Sequence, residues 1–240
     1  MVFTQDIIDV DKEKYLRKRE GYKYPNVIKI NTLAIPFNNI SLSYERGVLP
    51  RFSIEIGVGY KYKGLLPNVF AIEGAIIDAR LDEIKGYSIA PEFRYYLKTC
   101  EHRLLEGFYA SLYFKYAHYK TAAHFDYFPD GLAQEFYKST IIMGEYGIGI
   151  QLGYQLVLWQ RLNIDFMFFG PRFSKYHLTY EFDKHVSDEF LNDLTDHLNE
   201  IIDRFGLDYE VELKQSGKTD ASHSFSFANI RFGISLGFAF

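Results

Sequence analysis

Several stretches of this chain alternate strictly between apolar residues and residues that are polar or glycine. Residues 228–240 are the clearest case, with Ile234 and Leu236 on one parity and Ser235 and Gly237 on the other. A period of two residues is the pattern of a β-strand with two unlike faces, whereas a helix would need apolar residues three and four positions apart. The alternation therefore restricts the chain to an all-β fold whose strands each separate two different environments.

Eight segments follow this pattern, and the lengths of their connections alternate. The segments are residues 26–35, 40–46, 52–62, 87–97, 108–118, 142–156, 162–173 and 228–240. Long loops are predicted at about 63–86, 120–141 and 174–225, and the other connections are short, including Pro36–Asn39. Short turns at one end and long loops at the other are typical of outer-membrane barrels. We predict an eight-stranded antiparallel transmembrane up-and-down β-barrel over residues 26–240, after a charged periplasmic tail at 1–25, with both termini periplasmic.

The choice between a membrane barrel and a soluble, lipocalin-like barrel depends on which face points inward. The chain has 22 Phe and 20 Tyr, many of them on the apolar parity. An eight-stranded barrel has an interior that only just holds side chains, so this face would not fit inside. Glycines share the polar parity, where they would make room for long neighbours. The sequence therefore predicts an apolar face toward lipid, bounded by aromatic residues near both strand ends.

The polar parity carries equal numbers of positive and negative residues. They are Lys29, Glu45, Glu55, Lys61, Glu92, Arg94, Lys115, Glu145, Asp165 and Arg231. Unpaired ions in a confined interior are costly, so balanced charges favour mutual pairing. We interpret the set as a lumenal charge network; a proton or ion path along the same residues is the alternative.

Composition excludes several other classes of protein. No apolar run is long enough for a transmembrane helix. The net charge of −4 and the absence of a dense basic stripe argue against nucleic-acid binding. Cys100 is the only cysteine, so there is no internal disulfide. Met1–Val10 lacks the pattern of a signal peptide, so the numbered chain is expected to be a mature form.

The final run, Phe232–Phe240, resembles the signal that the barrel-assembly machinery reads, with Leu236, Phe238 and Phe240 as its apolar positions and Ser235 where glycine is usual. The wider arrangement resembles small outer-membrane barrels of Bacteroidota, including a family labelled as a domain of unknown function. Asn39–Arg46 and Ala90–Tyr96 carry this resemblance, which covers residues 26–240 apart from the loops. It implies a fold and a location in the outer membrane, and no chemistry.

The last long loop contains a predicted helix, Ser187–Phe205, with a capping serine and two acids in its first turn. Its apolar side chains form one stripe. They are Phe190, Leu191, Leu194, Leu198, Ile201, Ile202 and Phe205. In an extracellular loop this stripe needs cover, so it is expected either to fold onto the barrel mouth or other loops, to serve as a partner-docking surface, or to contact the membrane surface.

Histidines on the predicted loops raise the questions of catalysis and of metal binding. His118, His124, His177, His185 and His223 lie in this region, and Ser174, Ser222 and Asp126 are near them. Acyl transfer needs a nucleophile, a base and an orienting acid, but no tight motif joins these residues. Two histidines do not make a metal site. We assign no catalytic residues, metal ligands or cofactor.

Three functions are compatible with these features. The first is a non-enzymatic structural or accessory subunit of a larger outer-membrane complex, whose partners are outer-membrane lipid and other envelope proteins. The barrel-assembly machinery would be a partner during insertion. The second is a narrow channel for ions or small solutes, although eight strands leave little space. The third is a lipid-modifying barrel enzyme.

Overall fold

The computed structural model of this chain describes residues 24–62, 72–73, 77–97, 105–128, 134–204, 210–215 and 219–240. Its elements are strands of one antiparallel sheet, one α-helix and a 3-10 turn at Ile35–Phe37. The strands are β1 (Asn26–Asn31), β2 (Asn39–Leu49), β3 (Phe52–Lys61), β4 (Ile72–Glu73), β5 (Ile77–Leu81), β6 (Lys85–Tyr96), β7 (Gly107–Tyr127), β8 (Glu135–Leu158), β9 (Leu162–Phe182), β10 (Lys214–Gln215) and β11 (Asp220–Ala239). The helix is α1 (Asp188–Arg204).

Eight of the strands close into a ring in the order β1, β2, β3, β6, β7, β8, β9 and β11. β11 returns to β1 with Val27 opposite Ala239, and the amide of Phe240 donates to the carbonyl of Asn26 at 2.8 Å. The first and last described strands therefore meet at one end, which we call the lower end. The predicted all-β fold with eight antiparallel strands and a helix in the last connection is confirmed. Most of the predicted tail, residues 1–23, lies outside the described residues.

The lower turns are short, as predicted. β2 and β3 are joined through Pro50 and Arg51, and β8 and β9 through residues 159–161. Trp159 and Gln160 have positive φ values of 47° and 65°, which is the left-handed conformation that tight turns use. At the other end β1 stops at Asn31 rather than at residue 35, since Asn31 Oδ1 accepts a hydrogen bond from the amide of Ala34 and starts a turn.

Four strands are much longer than the sequence pattern predicted. β7, β8, β9 and β11 contain 21, 24, 21 and 20 residues, and they rise above the shorter strands as a tall wall. The short strands β5 and β10 pair with the outer edges of this wall. The predicted loop at 120–141 was therefore wrong, because β7 continues to Tyr127 and β8 begins at Glu135. The predicted loops at 63–86 and 174–225 likewise contain strand residues: β4, β5 and the start of β6 lie in the first, and the ends of β9 and β11 lie in the second.

The sequence analysis did not predict the upper parts of these strands, because the apolar and the polar residues exchange faces there. Within the ring, β7 turns Phe114 outward and Lys115 inward. Higher on the same strand, Phe125 is buried on the inner face and Asp126 points outward. The period of two residues continues without a break, but apolar residues now face inward. The sequence pattern of the lower ring therefore did not extend to the wall.

Helix α1 covers the inner face of the wall. The ring of Phe190 lies 4.4 Å from that of Tyr137 and 5.1 Å from that of Tyr127, measured between centroids. The predicted cap is present, since Ser187 Oγ accepts from the amide of Phe190 at 3.2 Å. Among the described residues no helix is long and apolar enough to cross a membrane.

The apolar stripe of α1 is covered by the chain itself. Phe190, Leu191 and Leu194 are buried in one cluster with side chains of β5, β7, β8 and β9, and Leu198 packs against it. The hypothesis of an exposed docking stripe is therefore wrong for these four residues, and the alternative of folding onto the ring mouth applies. The side chains of Ile201, Ile202 and Phe205 lie outside the described residues.

Candidate functional site

The lower half of the ring interior holds a group of buried ions centred on Lys29 and Arg94. Lys29 Nζ lies 2.6 Å from Glu45 Oε2, 2.8 Å from Glu55 Oε2 and 2.7 Å from Asp165 Oδ2. Both cationic side chains have no solvent exposure. Each charge therefore lies against several opposite charges, which offsets the cost of removing it from water.

Arg94 joins the remaining members of this lower group. Its guanidinium lies 2.6 Å from Asp165, 2.7 Å from Glu92 and 3.0 Å from Glu55. Glu92 also binds Arg231 at 2.9 Å. The lower group thus contains three cations and four carboxylates, held by strands from all around the ring.

Inward-facing tyrosines complete the lower group, and the sequence analysis missed them. The hydroxyl of Tyr96 donates to Glu45 at 2.7 Å and that of Tyr109 to Asp165 at 2.7 Å. The ring of Tyr109 lies over Gly153, where any side chain would clash with it. The narrow interior accepts the ring of Tyr109 because Gly153 faces it on the next strand. Both tyrosines lie on the polar parity of their strands, so the alternation that places Arg94 and Lys115 inward also places them inward.

A second, upper group of ions centres on Glu145. Its carboxylate lies 2.8 Å from Lys115 Nζ and 2.8 Å from Arg172 Nη2, and it accepts a hydrogen bond from Ser174 at 3.0 Å. Two cations therefore share one carboxylate, which the hydroxyl of Tyr176 also contacts at 3.3 Å.

Arg172 was not predicted, because a bulge in β9 changes which parity faces inward. Phe168 and Phe169 are adjacent and both point outward, and the register with β8 shifts at this point. Below the bulge the odd-numbered Asp165 faces inward; above it the even-numbered Arg172 does. An extra residue in one strand has this effect on every later side chain. The pair of adjacent phenylalanines followed by Gly170 and Pro171 is the sequence signal that marks the break.

The two groups contain nine of the ten residues predicted for the charge network. The exception is Lys61 near the upper end of β3, which makes no ion pair with any residue that the structure describes. Below the upper group the interior is filled, since Arg94, Tyr96 and Gln155 have no exposed surface. A cavity of about 230 Å³ remains above the filled part.

The packed cluster between α1 and the wall contains buried tyrosines whose pKa values are raised. Burial, together with its 2.7 Å hydrogen bond to Asp193, holds the pKa of Tyr127 well above its usual value of 10. Burial raises the pKa of Tyr137 to about 12, and its hydrogen bond to Glu135 contributes in the same direction. Both hydroxyls therefore stay protonated and act as hydrogen-bond donors at neutral pH.

The histidines do not assemble into a catalytic or metal site within the described part of the chain. His118 and His124 lie six residues apart on β7, which is about 20 Å along a strand. His177 Nδ1 lies 2.7 Å from Ser224 Oγ on the outer face of the wall, whereas Ser174 points inward to Glu145. No cluster of three metal-binding side chains occurs among the described residues.

The predicted assembly-signal residues lie at the seam where the ring closes. Leu236, Phe238 and Phe240 are about half exposed on the outer face. Next to them Lys29 faces Gly237, where an added Cβ would come within 2.8 Å of the Lys29 side chain. The role of these three residues in barrel assembly stays a prediction.

Comparison with protein families identifies the family of this chain. The model of the family described as "Protein of unknown function (DUF3575)" matches residues 19–190. The chain belongs to the DUF3575 family. In this DUF3575 protein the matched region contains β1 to β9 and the start of α1, whereas β11, which closes the ring, follows it. No curated protein matches the sequence.

Proposed function

We propose that this DUF3575 protein is an integral outer-membrane β-barrel of the Bacteroidota type, whose ring crosses the bilayer with its lower end in the periplasm. We further propose that it serves as a non-enzymatic structural or accessory subunit of a larger outer-membrane assembly. The observation that carries the proposal is an apolar band around the outside of the ring. The wall and α1 would then stand outside the cell.

The outer band supports this proposal because its side chains are large, apolar and exposed. On β3, Ile54, Ile56 and Val58 are 45%, 50% and 49% exposed, and the neighbouring strands continue the same surface. A soluble protein rarely exposes so large a contiguous apolar surface. Outward charges lie above the band, such as Lys120 and Lys175, or near the lower turns, such as Arg46.

A row of tyrosines marks the upper border of the band on four successive strands. Tyr60 is paired with Tyr87, whose ring lies 6.2 Å from that of Tyr116. The rings of Tyr116 and Tyr146 are 5.1 Å apart. Phe108 and Trp159 lie near the lower border. Aromatic girdles at both membrane–water interfaces are characteristic of outer-membrane barrels.

Trp159 provides a direct test, since it is the only tryptophan and 84% of its surface is exposed. We expect its fluorescence in lipid vesicles to be quenched by a quencher attached near the lipid headgroup. A tryptophan placed in the band by Ile148→Trp, in a Trp159→Phe background, should respond to a quencher near the chain ends. A protein that stays in water and responds to neither lipid quencher would contradict the membrane location.

The accessory role is supported by the filled interior and by the projecting wall, whose outer surface carries exposed polar side chains such as Lys138, His177 and Glu181. The filled interior also argues against the alternative of a channel, because the buried ions leave no continuous path in the described part of the lower ring. Gentle detergent extraction and native mass measurement would test the accessory role. A species of 28.1 kDa without any associated protein would contradict it.

A further inference from the structure

The cavity of about 230 Å³ inside the upper ring has two unlike walls. Small residues of β2, β3 and β6 line one wall, among them Ser43, Gly57 and Ala90. Lys115, Arg172 and Arg231 line the opposite wall. The space exists because short side chains face long charged ones across the ring.

Charge is distributed unevenly between the two ion groups. The lower group has three cations for four carboxylates, whereas in the upper group Lys115 and Arg172 share Glu145. The interior is neutral in total, but its upper part carries an excess positive charge. This excess lies beside the cavity.

The cations, rather than their carboxylate partners, form the accessible surface on this side. The side chains of Lys115, Arg172 and Arg231 are 20%, 11% and 24% exposed. Glu145 and Glu92 beneath them are 3% and 1% exposed. A molecule in the cavity would therefore meet ammonium and guanidinium groups, which bind carboxylate and phosphate oxygens well.

We propose that this cavity binds a small hydroxylated anion, of the sugar-acid or sugar-phosphate class. Its oxyanion lies against Lys115 and Arg172, and its hydroxyl groups face the Ser and Asn side chains of the opposite wall, such as Ser41 and Asn39. Glu55 lines the deeper part of the cavity, which directs the anion toward the upper cations. This binding does not depend on the proposed membrane location or accessory role.

Calorimetric titration of the purified protein tests the proposal with three probes. We expect glucuronate and glucose phosphate to bind and neutral glucose to bind much more weakly. Failure of both anions to bind would overturn the proposal, and so would equal binding of glucose. Binding of one anion alone would support it and identify the carboxylate or the phosphate as the preferred group.

Charge variants test whether the anion binds inside the cavity. Arg172→Gln should weaken anion binding by about tenfold or more, since it removes a charged donor. Arg46→Gln, on the outer face of β2, is the matched control and should leave binding unchanged. Equal effects of the two variants would overturn the proposal.

Two further variants test the same proposal if Arg172→Gln does not fold. Glu145→Gln removes the carboxylate that Lys115 and Arg172 share, so it should strengthen anion binding; weaker binding would count against the site. Ser43→Leu fills the cavity without changing its charge and should abolish binding. Unchanged binding in Ser43→Leu would show that the anion binds elsewhere.

Discussion

Arg94 Nη1 and Asp165 Oδ2 lie 2.6 Å apart in the ring interior, and both side chains are almost completely buried. They come from β6 and β9, which are not neighbours in the ring, so this pair ties opposite walls together. Because Asp165 also binds Lys29, and Arg94 also binds Glu92, the loss of either member changes the charge balance of the whole lower group.

We therefore expect Arg94→Met to lower the free energy of unfolding by about 3–5 kcal/mol, because the four buried carboxylates of the lower group would then share only Lys29 and Arg231. Urea titration of the folded, purified protein measures this change. Lys61→Met is the matched control, since Lys61 has no ion pair among the described residues, and it should have little effect. A similar loss in both variants would contradict the importance of the lower group.

The lumenal glycines differ in how closely they are packed. At Gly153 an added Cβ would clash with the ring of Tyr109 and come within 2.7 Å of the carbonyl oxygen of Phe166. At Gly57 the nearest atom would be 3.6 Å away. We expect Gly153→Ala to destabilise the ring by about 1–3 kcal/mol, as overpacking does. Gly57→Ala should leave the stability nearly unchanged. Thermal unfolding of the two variants measures this difference in stability, and equal stability would contradict the close packing at Gly153.

Phe190 anchors helix α1 to the wall. Phe190→Ala removes a fully buried ring that contacts Tyr127 and Tyr137, so the docking of α1 should weaken by about 3–5 kcal/mol. Hydrogen exchange of the α1 amides should then become faster, while β3 stays protected. Asn192→Ala, an exposed position on the same helix, is the control. Unchanged exchange in Phe190→Ala would refute the docking.

Alkaline pH should weaken the packing of α1 on the wall, because the Tyr127 hydroxyl then loses its proton. Its neutral hydroxyl donates to Asp193, and its pKa is raised in the folded protein. The stabilisation is therefore complete below about pH 10, the ordinary tyrosine value, and is lost as the pH rises through the raised folded pKa. Tyr127→Phe should cost about 1 kcal/mol at neutral pH. The difference between the two proteins should shrink at alkaline pH, as followed by the unfolding free energy; a constant difference would contradict this linkage.

The alternating pattern by itself determined the strands of the ring and the inward set of Lys29, Glu55 and Arg94. It sufficed there because nearly every outward residue of the lower ring is apolar and almost every charged residue has the opposite parity. Period-two alternation reports that a strand has two unlike faces, and in this part of the chain the inward face is the one that carries the charged residues and the glycines.

Only the tertiary structure decided what the two faces meet elsewhere. In the wall, α1 covers the inner face, so Phe125 is buried there and Asp126 points outward. In β9 one extra residue at the bulge brought Arg172 inward, and Gly153 made room for Tyr109. Parity is a local property of the chain, whereas the environment of each face depends on which distant segment packs against it.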